Sequence, residues 1–319
     1  MLQFFKTEKG VYVLLTLTAI LWGGNAVAAK YTVGQLAPST TAFFRFAWVS
    51  VILVSLAFYI EGRRCLPRFK QLPGIIAMGI TGIFMHNFFT YSGVKLSSAT
   101  NMSLLNALNP VITACLAAIF LKEHLTLRQL SGIAVSFLGV GIVITKGDWM
   151  TIIRLSFNQG DILLALAPVC WALYSIAGRK VMRGMTALAA TAWAGIFGSL
   201  ILLFFAWGEG FGGLLNLNYW GWVSMLYMII GSGFFAFLWW NQGVAVIGPN
   251  RAAIFTNIIP VSGMIFAALL VNETIACQQF AGAALIISGV CLTTQKGAPK
   301  LADNKTDDNL QFKERSSSR

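Results

Sequence analysis

Apolar residues along this chain neither alternate nor keep to one helical face; they run together. Stretches of about 20 such residues, enough to cross ~30 Å of hydrocarbon as a helix, are separated by short polar connections. These runs predict ten spans, at 11–32, 39–60, 72–94, 99–121, 128–146, 159–180, 186–207, 217–241, 250–271 and 277–295. The expected fold class is an all-α integral membrane protein, since a membrane β-barrel would show ~10-residue alternating segments. Residues 1–10 are expected as a cytoplasmic N-terminus and 298–319, polar and charged, as a disordered cytoplasmic tail.

Composition agrees with that pattern. Of the residues, 57% are hydrophobic and 11% charged, with mean hydropathy +0.72, whereas soluble domains carry roughly 25% charged residues. Lys6 and Lys9 before an apolar run ending in "AVAAK" imitate a signal peptide. Cleavage would leave nine spans and break the repeat described below, so the first span is expected to stay. The five cysteines lack metal-type spacing and read as small apolar core residues. No cofactor is implied.

The net charge of +12 follows topology. With the N-terminus in the cytoplasm, 18 of the 23 Lys and Arg residues fall on the cytoplasmic side. Four (Lys30, Lys95, Lys146, Arg154) fall on the other, and Arg45 stays within span 2. The bias follows the positive-inside rule and puts both termini in the cytoplasm of a plasma (cell inner) membrane protein. A nucleic-acid partner would require a clustered basic face, which is missing.

"LLNALNPVITACLAAIFLKE" and "FTNIIPVSGMIFAALLVNE" belong to one repeated unit. Residues 93–147 align with 243–297 at an ungapped offset of 150, with 14 identities in 55 positions, among them Pro110/Pro260, Glu123/Glu273, Gln129/Gln279 and Gly139/Gly289. Trp22 and Trp171 correspond at an offset of 149. The halves are 11–146 and 159–297, each with five spans. Because five is odd, the second half enters the membrane upside down, giving two inverted five-helix repeats. Secondary transporters recur in this design, with solute at the repeat interface near the midplane.

The residues "AILWGGNAVAAK", "FFRF", "NPVITACLAAIFLKEHLTLRQLSGIAVSFLGVGIVI" and "IPVSGMIFAALLVNETIACQQFAGAALIISGV" resemble the EamA-type branch of the drug/metabolite transporter superfamily. The likeness covers about residues 11–297. It implies a plasma-membrane carrier of small organic solutes, often amino acids and often exported, with a cavity bounded by spans 1, 3, 4, 6, 8 and 9. The second copy departs where Thr274-Ile275-Ala276 replaces His124-Leu125-Thr126, which weakens a capping motif.

Candidate solute contacts are polar or aromatic groups inside spans. Trp22 and Trp171 lie away from the interfacial levels where tryptophan concentrates, with Asn25 and Tyr174 three residues on and on the same faces. Span 3 adds His86, Asn87 and Tyr91. Asn106, Asn109 and Asn257 flank the prolines, serving either solute or the backbone groups that Pro110 and Pro260 free. Those two prolines are the candidate hinges or kinks. Arg45 is an intramembrane charge for which pairing with a carbonyl or headgroup competes with binding a carboxylate-bearing solute. Lys30 can snorkel to the interface.

Trp239 and Trp240 read equally as belt anchors near the cytoplasmic end of span 8. Glu123 and Glu273 are expected to cap or neutralise the following helices. The stripe Gly132, Ser136 and Gly139, with Gly282 and Gly289, predicts close packing, either within the chain or across a homodimer. The 11 acidic residues lie at span ends, in loops or in the tail, so diffusion, exchange or His86-linked coupling fits better than a carboxylate relay. A channel would require a filter or charged ring. An intramembrane protease would require H-E-x-x-H or paired aspartates, and the chain has two histidines, 38 residues apart. An enzyme is therefore not expected.

Overall fold

A computed structural model describes residues 7–32, 35–96, 105–122, 126–148, 150–154, 158–271 and 275–294. Among these residues the chain is helical, with no strand. The principal helices are α1 (Glu8–Thr32), α2 (Pro38–Glu61), α3 (72–96), α4 (Asn109–Leu121), α5 (Leu127–Thr145), α6 (Gln159–Val181), α7 (Ala187–Glu209), α8 (Tyr219–Ile247), α9 (249–271) and α10 (Cys277–Thr294). Seven segments are long and apolar enough to cross a membrane: Pro38–Cys65, Phe69–Gly93, Leu127–Thr145, Gln159–Val181, Ala187–Glu209, Tyr219–Ile247 and Pro249–Leu270. Asn109–Leu121 and Cys277–Thr293 are shorter apolar helices. Outward-facing Leu200, Phe204, Trp207 and Leu226 are exposed, as a lipid-facing surface requires.

Helix ends are set locally. Asn158 accepts from the N–H groups of Gly160 and Asp161 to start α6, and Thr126 with Gln129 closes a reciprocal capping box on α5. At the second copy only half of that box survives: the Ala276 N–H donates to Gln279 Oε1, because alanine has no hydroxyl to return. Glu123 and Glu273 lie outside the described residues.

Packing repeats when the two halves are exchanged. Thr18 on α1 donates to the Ala236 carbonyl on α8 (3.4 Å). The equivalent pair, Ala167 on α6 and His86 on α3, is bonded at 3.0 Å. Glu61, ending α2, accepts from Thr186 at the start of α7, and Glu209, ending α7, accepts from the Thr40 N–H near the start of α2. α2 and α7 are thus antiparallel, and Ser50 meets Ser199, 149 residues on, between their ends.

α5 and α10 pack along the glycine stripe. A Cβ on Gly132 would meet the Gly289 carbonyl at 2.7 Å, and one on Gly139 the Gly282 carbonyl at 2.6 Å. Only hydrogen fits at these crossings. The stripe therefore packs within the chain.

α3 and α8 each contain a π-helical segment, Gly79–Met85 and Ile230–Phe235. These sit 150 residues apart at their ends. The wider turn displaces carbonyls from their usual partners, and such turns recur at functional sites. α4 and α9 are irregular ahead of their prolines: residues 107–108 form a turn before α4, and Ile254–Ile258 is a tight 3-10 segment inside α9. Pro110 is consequently the second residue of its helix, where its missing N–H has no partner to lose. Pro260 is likewise second in the regular part of α9, Ile259–Val271.

Candidate functional site

The symmetry-related tryptophans meet. Trp22 of α1 and Trp171 of α6 pack edge to face, centroids 5.1 Å apart at 85°. Phe237 and Trp240 of α8 touch both, at 5.4–5.8 Å, and Tyr174 stacks obliquely on Trp171 at 5.1 Å. Each such pair contributes about 0.5–1.5 kcal/mol beyond area burial, so the cluster ties α1, α6 and α8 together. The indole nitrogens differ. Trp22 Nε1 donates to the Ser232 carbonyl at 3.1 Å, and Trp240 Nε1 to Ser175 Oγ at 3.2 Å. Trp171 Nε1 is buried with no partner among the described residues. A bound solute would satisfy it.

A polar chain adjoins the cluster. Arg45, 3% exposed, donates from Nε to the Met228 carbonyl (3.0 Å) and from Nη2 to the Ser232 carbonyl (2.9 Å) and Ser232 Oγ (3.1 Å). Those carbonyls belong to the π-helical region of α8. Ser232 Oγ donates to Asn25 Oδ1 at 2.8 Å, with the Met228 carbonyl a longer alternative at 3.3 Å. The guanidinium also lies over the Phe46 ring (5.0 Å) and near Phe237 (6.0 Å).

His86 Nδ1 lies 3.0 Å from the Ala167 carbonyl. A carbonyl only accepts, so Nδ1 is the donor. Its ring sits 5.0 Å from Trp171. Asn87 turns to its own helix, its amide donating to the Gly82 and Ile83 carbonyls. Tyr91 is half-buried against the core. Tyr174 bonds Asn241, which also donates to Thr191. Asn109 is buried and accepts from Thr113, Asn106 is half-buried one turn earlier, and Asn257 donates to Ser136 while its Oδ1 stays unpartnered. The Lys30 side chain lies outside the described residues.

The structure thus brings Trp22, Asn25, Arg45, His86, Trp171 and Tyr174 around one centre through α1, α2, α3, α6 and α8. Asn257 points to α5 and Asn87 to its own backbone. Trp240 corrects the sequence reading: it is 1% exposed and sits in the cluster, because α8 turns it inward toward Ser175. Trp239 packs on Phe235 at 5.2 Å. Phe237, Ser232 and Phe46 also escaped the sequence reading; Ser232 in the mid-span "GSGFF" was the available signal. Cys65 and Cys170 are buried, whereas Cys115, Cys277 and Cys291 are exposed rather than core residues. They lie on the outward faces of helices in an apolar setting, which tolerates a thiol.

The N-terminal ends of α1 and α9 are joined by Arg251. It pairs with Glu8 at 3.3 Å and bonds the Tyr12 hydroxyl, and Tyr12 stacks on Phe255. Arg179 caps the end of α8 by donating to the Val244 (3.0 Å) and Ala245 carbonyls.

Comparison with known proteins accords with this architecture. "Uncharacterized transporter YyaM" of Bacillus subtilis (strain 168) is 34% identical over 281 residues, covering 88% of this chain and 92% of the relative. The "Probable terminal-alkyne amino-acid exporter" of Streptantibioticus cattleyicolor is 25% identical, covering 91% and 95%. A solved structure, 17% identical, superposes with a TM-score of 0.76 over 90% of this chain and 98% of that one, a likeness of fold. The EamA-like transporter family model matches twice, over residues 9–145 and 158–295; with its duplicated helices meeting at a shared aromatic centre, the chain is a multi-pass membrane protein that belongs to the EamA-like transporter family.

Proposed function

We propose that this chain is a secondary transporter of small organic metabolites such as amino acids, exporting them by alternating access around a site where its two halves meet. In this reading ten spans form two inverted five-helix repeats, 11–146 and 159–297, in the plasma (cell inner) membrane with both termini cytoplasmic. The observation that carries it is the recurrence of the same contacts with the halves exchanged: 18 with 236 and 86 with 167, the ends of α2 with those of α7, and a π-helical segment in both α3 and α8. Two halves of one design can trade conformations, opening the shared centre to one side and then the other. The proximity of Glu8 and Arg251 supports a common side for those helix ends, and the Lys/Arg bias supports calling that side cytoplasmic. Two relatives are named an amino-acid exporter and a "Probable amino-acid metabolite efflux pump".

The test is solute counterflow in proteoliposomes. A carrier shows saturable, trans-accelerated uptake of labelled solute when the lumen is preloaded, whereas a channel shows flux that neither saturates nor accelerates. Absence of trans-acceleration across a panel of amino acids and related acids and amines would sink the carrier reading.

A further inference from the structure

We infer that Arg45, with Asn25, forms a recognition point for the carboxylate group of the solute; this rests on the carrier reading above. Arg45 is always charged and almost fully buried, yet among the described residues no carboxylate pairs with it. Its bonds are to two carbonyls and a hydroxyl, through Nε and Nη2. Nη1 makes no hydrogen bond among the described residues. Ser232 Oγ accepts from Arg45 and donates to Asn25 Oδ1, with the Met228 carbonyl a longer alternative acceptor at 3.3 Å; with its oxygen so used, the Asn25 amide offers its amino group as a further donor. The nearby Trp171 Nε1 is a third donor without a partner. Donors with no acceptor beside an uncompensated cation fit an anion, and a guanidinium fork matches a carboxylate.

The repeat supplies an internal control for the structural alternative, that Arg45 exists to brace the π-helical turn. The same turn in α3 is held without any charge. There Asn87 serves the freed Gly82 and Ile83 carbonyls from within its own helix. Ala194 stands 149 residues after Arg45 and packs its carbonyl toward Gly79, and Gly82, 150 residues before Ser232, is covered by the ring of Tyr174, the counterpart of Asn25. A π-helical turn in this fold therefore requires one amide at most. The buried positive charge exceeds what the backbone needs. Trp22 and Asn25 keep partial exposure, so a solute can reach this wall.

The result is an asymmetric site, with the donors of Arg45 and Asn25 beside the aromatic cluster of Trp22, Trp171, Tyr174 and Phe237. The shared ligand chemistry is a carboxylate, carried by either an amino acid or a simple organic acid. The test measures counterflow and binding with phenylalanine, 3-phenylpropanoate, phenylalaninamide and phenethylamine, using the full chain and the variants Arg45→Lys, Arg45→Gln and Asn25→Leu. The expected result is that the wild type takes phenylalanine and rejects the amide and amine, and uptake of 3-phenylpropanoate separates a simple-acid site from an amino-acid site. Arg45→Lys should weaken acid binding by about 10- to 100-fold, the loss of charge-assisted bonds, while still preferring acid to amide. Asn25→Leu, which leaves Arg45 and its π-turn bonds in place, should weaken acid binding and spare folding. Arg45→Gln should abolish the preference for acid. Counterflow of amide or amine as good as that of acid overturns the carboxylate assignment and leaves the carrier intact; counterflow of none of the four overturns the assignment, and the broader panel above then decides the carrier reading separately. An unchanged acid preference in a folded Arg45→Gln protein also overturns it.

Discussion

Replacing Gly139 with alanine places one methyl group in the seam between α5 and α10. An ideal Cβ there would lie 2.6 Å from the Gly282 carbonyl oxygen and 2.8 Å from the Ile286 nitrogen, where ordinary contact begins at 3.4 Å. The shortfall, 3.4 less 2.6, is 0.8 Å, and both obstructing atoms are backbone, so no rotamer change relieves it. Parting the helices at this crossing also loosens the one at Gly132 and Gly289. Overpacking of this kind costs about 1–3 kcal/mol. Alanine returns up to ~1 kcal/mol through its better helix propensity, which leaves a net destabilisation of about 0–2 kcal/mol. Gly208, near the end of α7, is the matched control, because a Cβ there meets nothing within 4 Å. Thermal unfolding of the detergent-solubilised protein, followed by intrinsic fluorescence, should show a lower midpoint for G139A and an equal or higher one for G208A. If G139A is as stable as G208A, the seam is not the close backbone contact described, and the reasoning fails.

Three further outcomes follow from individual contacts. Trp171→Phe removes an indole N–H that has no partner among the described residues, so stability should change by less than about 1 kcal/mol, while solute affinity in the counterflow assay should fall; equal losses in both would mean the indole is structural. Glu8→Gln and Arg251→Gln, combined in a double-mutant cycle, should couple by about 0.2–1 kcal/mol and lose that coupling in high salt, since the side chains are 39% and 25% exposed. Pro110→Ala should cost under about 1 kcal/mol, because that proline stands in the first turn of its helix; a cost near the ~3 kcal/mol scale of an interior proline effect would contradict that placement.

Much of the architecture was legible because lipid imposes its constraint residue by residue. Each span must be apolar on its own, so runs around α2, α7 and α8 stand out without knowledge of their neighbours. The repeat was legible for a related reason: duplicated helices keep the glycines and prolines that backbone geometry demands, and Gly132, Gly139, Pro110 and Pro260 carried the alignment. Trp22 and Trp171, which correspond in sequence, are in ring contact in the aromatic centre. The Gly132–Gly139 stripe announced close packing, but its partner was not legible, because glycine shows that a backbone approaches and not which one. Trp240 was misread for a similar reason. Its position along α8 suggested the membrane edge, and only the rotation of that helix against α1 and α6 buries it.

Sequence alone thus determined what each segment must satisfy by itself: apolar length, and the repeated unit in the pattern of residues. The tertiary structure decided what depends on two segments at once. It closed α5 on α10, turned Trp240 inward, and set Arg45 against carbonyls about 185 residues away in α8. The physical reason is the range of the interaction. Hydrophobic transfer and backbone hydrogen bonding within a helix are local and leave a local pattern. The satisfaction of a buried donor depends on which acceptor the folded chain brings within about 3 Å, and nothing in the spacing of residues along one helix encodes that distance.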